Sequence, residues 1–186
     1  MLKLKQVIPP AVEPVTSSQV LKQLKFDDTD PELIEQIEGL IKAAREWCET
    51  YQNRAYITQT FELALDCWPR GNRVKLPRPQ LQEIEYLTYR NGGVLNTWDA
   101  SNYVSDDFSE PGYLIKVSGV NWPASVKNPN GIIIRYVAGY GPSPEDVPET
   151  IKLAIQMLTV YWFENGLCEP PCAVYNLLDS DRVVPI

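Results

Sequence analysis

The sequence contains no histidine. That removes the commonest general base and every Ser/His or Cys/His arrangement for nucleophilic catalysis. It also leaves any zinc site to thiolates alone, and the chain has only four cysteines. Cys168 and Cys172 lie in CEPPC, which is not a CxxC, and their spacing from Cys48 and Cys67 does not make two knuckles. Structural thiols are expected, with no metal and no cofactor. Positive charge is scarce as well: 17 Lys and Arg stand against 24 Asp and Glu, for a net charge of −7. A protein that grips nucleic acid by its phosphates needs clustered cations. The best local group, Arg70, Arg73, Lys75 and Arg78, reads more simply as a solvated loop and an edge strand. There is no apolar run of about 18 residues, so no membrane-spanning helix is expected. The start, MLKLKQVIPPAVEPV, has no apolar stretch long enough for a signal peptide, and the protein is expected to stay in the cytoplasm that makes it. YVAGYG lacks the glycine spacing and the lysine of a phosphate-binding loop.

Apolar and aromatic side chains, in contrast, are plentiful. The 186 residues are 44% hydrophobic, with five tryptophans and ten tyrosines. That suits one domain, or a domain carrying a large insertion. Thr16 and Ser17 can cap a short helix over SSQVLKQLKF. Asp30 followed by Pro31 is a strong helix start, and the helix is expected to run to about Gln52. Leu33, Ile37, Leu40, Ala44, Trp47 and Tyr51 are spaced 4, 3, 4, 3 and 4, which makes an apolar seam widened by Ile34, Ile41 and Cys48. Glu38, Lys42 and Glu46, and the pair Arg45 and Glu49, read as the solvated face.

The middle of the chain reads as β structure. YITQTFELALD alternates, with Ile57, Phe61, Leu63 and Leu65 on one side. RVKLPRPQLQEIEYLTY holds two strand candidates broken at Pro77 and Pro79. Asn91-Gly92-Gly93 is a turn into VLNTW, and GYLIKV and GIIIRYVAGY complete six or seven strands. The aromatics here are expected to be packing pairs. After GPSPEDVPET a second long helix is expected near 148–165, with Gly166 just past its end. CAVYNLLDS fits a last short helix, and DRVVPI reads as loose or docked on a neighbour.

The fold class is therefore α+β. Helical residues 16–53 and 146–180 form a small bundle around the two long helices, and a β-rich lobe at about 55–141 is inserted into one domain. The second long helix is unusually apolar. Ile151, Ala154, Ile155, Leu158, Tyr161 and Trp162 form one stripe, suited to the first long helix. Leu153, Met157 and Val160 form another, and Lys152, Gln156 and Thr159 leave only a narrow polar strip. A helix apolar on two faces is buried on two sides. The second stripe is covered either by another part of the chain or by another subunit, and Leu153, Met157 and Val160 are the candidate subunit interface.

The order of these pieces resembles a known family. A short helix, D-x-x-D-P and a long helix, the T-Q-T strand, L-P-R-P-x-L, Y-x-A-G-Y-G and a V-P-x-x-I-K-x-A-I helix follow one another over roughly residues 7 to 165. They look like the tailed-phage head–tail connector proteins, the head completion or adaptor proteins. The segment GLCEPPCAVYNLLDSDRVVPI departs from that pattern. The resemblance implies a structural virion protein and not an enzyme. It implies self-association into a ring of about twelve copies below the phage portal protein. The further partners it implies are tail or stopper proteins, and double-stranded DNA that passes through without specific binding. It places the protein at the head–tail interface of the virion, after synthesis in the host bacterial cytoplasm. An acidic channel wall would not hold DNA phosphates. The competing class is a small-molecule-binding domain or enzyme using the aromatic β lobe. That reading requires a cavity with convergent carboxylates such as Asp66, Asp99, Asp106 or Asp107.

Overall fold

The computed structural model describes residues 3–27, 29–124 and 129–183. It is a mixed α+β structure with antiparallel sheets, divided into two compact units. One comprises residues 1–9 and 58–139, the other residues 10–57 and 140–186.

The β unit is built on a five-stranded sheet. Its strands are β1 (Lys3–Ile8), β2 (Gln59–Leu65), β4 (Leu81–Asn91), β5 (Val94–Trp98) and β8 (Ile132–Ala138), in the order β1-β2-β8-β4-β5. The most regular alternation in the chain marks the central strand. Ile132, Ile134, Tyr136 and Ala138 are buried along β8, and the residues between them are half-buried. Its register sets Ile134 beside Leu63 and Leu87, both buried. Fully pairing a strand on both edges while burying one face is what holds this register, because a one-residue slip would turn every isoleucine outward. A second sheet has the order β3-β7-β6, from β3 (Arg73–Lys75), β6 (Tyr103–Asp106) and β7 (Tyr113–Lys116). Three tryptophans cluster in this unit. Trp68 stacks on Trp122 at 4.7 Å between ring centroids, and Trp98 lies 5.3 Å from Trp122 and 5.7 Å from Tyr103. Leu65 is half-buried, while Phe61 and Leu63 carry the buried face of β2.

Two strands were not expected. β6 is too short to alternate, and β1 begins KLK. β1 lies at the sheet edge, paired only with β2, and exposes most of its side chains. Edge strands with lysines carry no hydrophobic signal, since charge there discourages further pairing.

The helical unit contains α1 (Ser17–Leu24), α2 (Pro31–Gln52), α3 (Glu149–Asn165) and α4 (Cys172–Leu178). Local chemistry sets their starts. Thr16 and Gln19 form a reciprocal capping box, and the Asp30 carboxylate accepts the backbone N–H of Glu32 and Leu33 ahead of Pro31. Lys25 and Asn53 close α1 and α2 in the left-handed conformation, at φ 61° and 55°. Val20, Leu21, Ile37, Ile41, Ala44, Cys48, Ile151, Ala154, Ile155, Leu158, Val174 and Leu178 share one core.

The buried face of α2 is rotated from the predicted seam. Ile37, Ile41, Ala44 and Cys48 are fully buried, whereas Leu33, Leu40, Trp47 and Tyr51 are only partly so. Arg45 and Glu49 do not lie on a solvated face. They are 2% and 6% exposed. Glu13 accounts for this: it accepts from Arg45 Nε at 2.7 Å while Arg45 Nη1 donates to Glu49 at 2.7 Å. The same Glu49 accepts the Tyr56 backbone N–H at 2.9 Å. A buried charge is tolerable only with this number of partners.

The C-terminal segment, read as loose or held by a neighbour, docks on its own chain as far as it is described. Val183 N–H donates to the Gln52 carbonyl at 2.9 Å, and Asn53 Nδ2 donates to the Val183 carbonyl at 2.9 Å. Gln52 Nε2 donates to the Leu178 carbonyl at 2.6 Å. Tyr175 on α4 meets Trp47 and Tyr51 edge-on. Orphan carbonyls at the end of a helix need donors, and here the tail supplies them. The last three residues of DRVVPI lie outside the described residues.

Candidate subunit interface

The site begins with the apolar helix α3. Ile151, Ala154, Ile155, Leu158 and Trp162 are buried against the shared core, as their spacing predicts. Thr159, read as part of a polar strip, is also fully buried. Its hydroxyl donates back to the Ile155 carbonyl at 2.8 Å, which is how a threonine satisfies itself inside a helix. Lys152 keeps only 14% of its side chain exposed and pairs with Glu149 at 2.6 Å. Contacts with α1, α2 and α4 thus cover most of α3.

What remains is the stripe Leu153, Met157 and Val160. Their i, i+4, i+7 spacing sets them on one face. Leu153 is 45% exposed, while Met157 and Val160 are half-buried and pack at the margin of the core. Among the described residues, the helical unit leaves nearly half of Leu153 uncovered. Toward the C-terminal end, Phe163 lies one turn from Val160, and its ring meets Phe26 edge-on at 6.0 Å. Phe26 follows α1 and is itself 49% exposed, with Lys22 and Lys25 exposed beside it in sequence. Leu167, just past α3, is 74% exposed. The exposed members of this face could not be told from the buried ones by spacing alone.

The carboxylates named for a small-molecule site do not converge. Asp66 receives Lys3 Nζ at 2.6 Å and the Asn130 N–H at 2.8 Å, which holds it below the usual carboxylate range. Asp99 caps a short helical turn through Ser101, and Asp106 caps the next loop through Ser109 and the Phe108 N–H. Both are lowered, chiefly by those serine hydroxyls. Asp107 is exposed. Each of the three bonded carboxylates serves its own turn or strand. The outer face of the large sheet has an open depression of about 450 Å³ lined by Glu62, Tyr86, Thr88, Arg90, Leu95 and other residues. Arg135 stands beside it, 2.6 Å from Glu85 and 3.7 Å from Glu62.

Among the cations considered for nucleic acid, Arg73 lies over the Tyr113 ring at 4.5 Å on β3, an edge strand of the small sheet. Arg70 is exposed and Lys75 half-buried. Cys48 is buried, and Cys67, Cys168 and Cys172 are exposed free thiols. Among the described residues no three Cys, Asp or Glu side chains converge as metal ligands, and no helix is long and apolar enough to cross a membrane.

Comparison with solved structures gives the same architecture over nearly the whole chain. The chain is similar to a protein in the neck of an empty GTA particle computed with C6 symmetry, at 20% identity and TM-score 0.80, covering 99% of this chain and 97% of that one. It is similar to one in the virion of a native gene transfer agent particle, at 21% identity and TM-score 0.78, covering 98% and 96%. A third, in the neck of a native GTA particle computed with C12 symmetry, matches at 22% identity and TM-score 0.75, covering 100% and 97%. At these identities the likeness establishes the fold. None of the curated proteins compared with the chain matches it. Residues 15–169, which include α1, α2, the β strands from β2 onward and α3, match the profile described as Head completion protein. The chain belongs to the Head completion protein family, the head–tail connector group that its ordered motifs resemble.

Proposed function

We propose that this chain is a structural virion subunit that assembles with copies of itself into a ring at the head–tail junction, below the portal protein. The helical unit works as a small bundle that carries the assembly contacts, and the β-rich lobe is an insertion within one functional chain. Packaged double-stranded DNA passes through the ring without specific binding, tail or stopper proteins follow below, and no step is catalytic. The protein is made in the host bacterial cytoplasm and ends in the virion.

The observation that carries this reading is the stripe on α3. A well-packed helix, enclosed by three others, still presents Leu153 at 45% exposure, with Met157 and Val160 half-covered beside it. Apolar side chains in register on a soluble surface mark a contact. The solved neighbours support a ring, since two of them come from necks computed with C6 and C12 symmetry. The family's description supports the place of action. The net charge of −7 supports passage of DNA without adhesion.

Leu153→Glu is the direct test, because Leu153 has no core role to confuse the result. The variant is expected to keep the thermal midpoint of the parent chain and to be missing from the necks of particles imaged by electron microscopy. A variant that still forms a complete neck ring would overturn the stripe as an interface. Necks of particles made with the unaltered chain that contain no ring of it would overturn the ring itself.

A further inference from the structure

The sequence holds three Asn-Gly pairs: Asn91-Gly92, Asn130-Gly131 and Asn165-Gly166. Asparagine before glycine is chemically labile in water. The backbone nitrogen of the glycine attacks the asparagine side-chain Cγ. A new C–N bond closes a succinimide ring, and the side-chain amide nitrogen leaves as ammonia. Water then opens the ring at either carbonyl and gives aspartate or isoaspartate. Glycine favours the first step because it has no Cβ to block the approach and leaves the backbone free to turn. The reaction needs water, a free glycine N–H and a peptide that can rotate toward the asparagine side chain.

The fold treats the three pairs differently. At Asn165 both reacting groups are engaged. The side-chain amide donates to the Tyr161 carbonyl at 2.9 Å, and the Gly166 N–H donates to the Trp162 carbonyl at 2.9 Å. Rotation there would undo the end of α3. At Asn130 the backbone is clamped on both sides of the reacting peptide. The Asn130 N–H donates to Asp66 at 2.8 Å, and the Gly131 carbonyl accepts the Arg90 N–H at 2.8 Å. Gly131 is buried and leads directly into β8, which is paired on both edges.

Asn91 has neither protection. Asn91, Gly92 and Gly93 are all exposed, and the two glycines turn the chain at φ 57° and 86°. Among the described residues, neither the Asn91 side chain nor the Gly92 N–H has a hydrogen-bond partner. The pair Asn91–Val94 is also the last rung of the β4–β5 ribbon. It lies beyond Tyr89, where β8 stops pairing with β4. The end of a two-stranded ribbon opens at little cost compared with a rung inside the sheet. Opening it frees the Asn91–Gly92 peptide to rotate.

We propose that Asn91 is a site of spontaneous deamidation in the folded protein, and that the contacts at Asn130 and Asn165 shield those two residues from it. The product places a new carboxylate at the hairpin tip, beside Val94 and Leu95, which are 62% and 55% exposed. In the isoaspartyl form the backbone also gains a methylene at this position, which lengthens the turn and shifts the Asn91–Val94 register. The proposal concerns the single chain and stands apart from the ring reading.

The test compares the folded full chain with the same chain unfolded in guanidinium chloride, both held at mildly alkaline pH and sampled over time. Peptides from digestion at acidic pH are read by mass spectrometry for replacement of the amide by a carboxyl. Electron-transfer fragmentation separates isoaspartate from aspartate. In denaturant all three asparagines are expected to convert. In the folded chain Asn91 is expected to convert first, with isoaspartate among its products. Asn130 and Asn165 are expected to remain amides at times when both have converted in denaturant. Asn91→Gln is expected to abolish the change at this position, because the longer side chain does not close the same ring. Its far-UV circular dichroism should match the parent chain, since position 91 is exposed. A folded chain that keeps Asn91 as long as Asn130 and Asn165, or that converts either of those as fast as Asn91, overturns the proposal.

Discussion

The buried charge cluster offers a sharp test of how the helical unit is held together. Arg45 is 2% exposed and divides its guanidinium between Glu13 and Glu49, each at 2.7 Å. Replacing it with methionine in Arg45→Met fills nearly the same space and removes the charge. Glu49, 9% exposed in its side chain, then keeps the Tyr56 N–H on one oxygen and loses the Arg45 guanidinium from the other. Removing one partner of a buried ion pair costs ~3–5 kcal/mol, mostly because the surviving charge is stranded. The lower end applies here, since Glu13 is 30% exposed and water shares its load. At ~2–4 °C per kcal/mol for a chain of this size, a loss of ~3 kcal/mol lowers the midpoint by roughly 6–12 °C. Adding Glu49→Gln should restore part of the loss, because the amide still accepts the Tyr56 N–H and carries no charge. Glu13→Gln alone should cost only ~1 kcal/mol. Urea unfolding followed by far-UV circular dichroism measures these three variants and Glu49→Gln alone. A loss under ~1 kcal/mol for Arg45→Met, or strict additivity of Arg45→Met and Glu49→Gln, would refute the stranded-charge account.

Three other outcomes follow from specific contacts. Burial, with the Glu49 carboxylate adding to it, pushes the Cys48 thiol up to about 12, so a thiol reagent should label Cys67, Cys168 and Cys172 in the native protein and reach Cys48 only after denaturation. Leu158→Ala, at a fully buried position, should cost ~2–5 kcal/mol in urea unfolding, and Leu40→Ala, at a half-buried one, clearly less. The Lys3 ammonium and the Asn130 N–H hold the Asp66 carboxyl below its ordinary value near ~3.9, so its support for β1 is complete above that pH and is lost as pH falls through the lower folded value. Amide protection on β1, read by NMR as exchange relative to the intrinsic rate at each pH, should fall only in that acid range and not near neutrality.

The sequence was most readable where one residue type has one physical role. Asp30 before Pro31 could only start a helix, and Asn91-Gly92-Gly93 could only turn the chain. The alternation of β8 left no doubt about its inner face. Reading failed where a pattern has two physical solutions. Arg45 and Glu49, four apart with opposite charge, look the same whether water or Glu13 completes them, and Glu13 lies 32 residues away from Arg45. Thr159 looks polar until its hydroxyl is seen bonded to Ile155. Val183 is held by bonds between its own backbone and the Gln52 carbonyl and Asn53 side chain, and such backbone pairing leaves no mark in a sequence. At the candidate interface, spacing found the stripe, but only packing could show that Leu153 is its open end and that Met157 and Val160 already serve the core.

On the ring reading, that division within the stripe bears on how a subunit avoids its copies before it assembles. A wide apolar face would drive association of any two copies in any orientation. Here most of the stripe is spent on the core of its own unit, and the exposed remainder is small: Leu153 and the edges of Phe26 and Phe163. One such contact between two copies is weak, because it must overcome the full cost of immobilising a partner. Ring closure changes the balance. The last copy to join makes two contacts while losing its freedom once, so the second contact acts as an intramolecular one. A modest patch is then sufficient in a closed ring and insufficient in a pair, and the net charge of −7 opposes loose pairing further. On the ring reading, partial burial of the α3 stripe is what allows one surface to be tolerated in the free chain and used in the assembly.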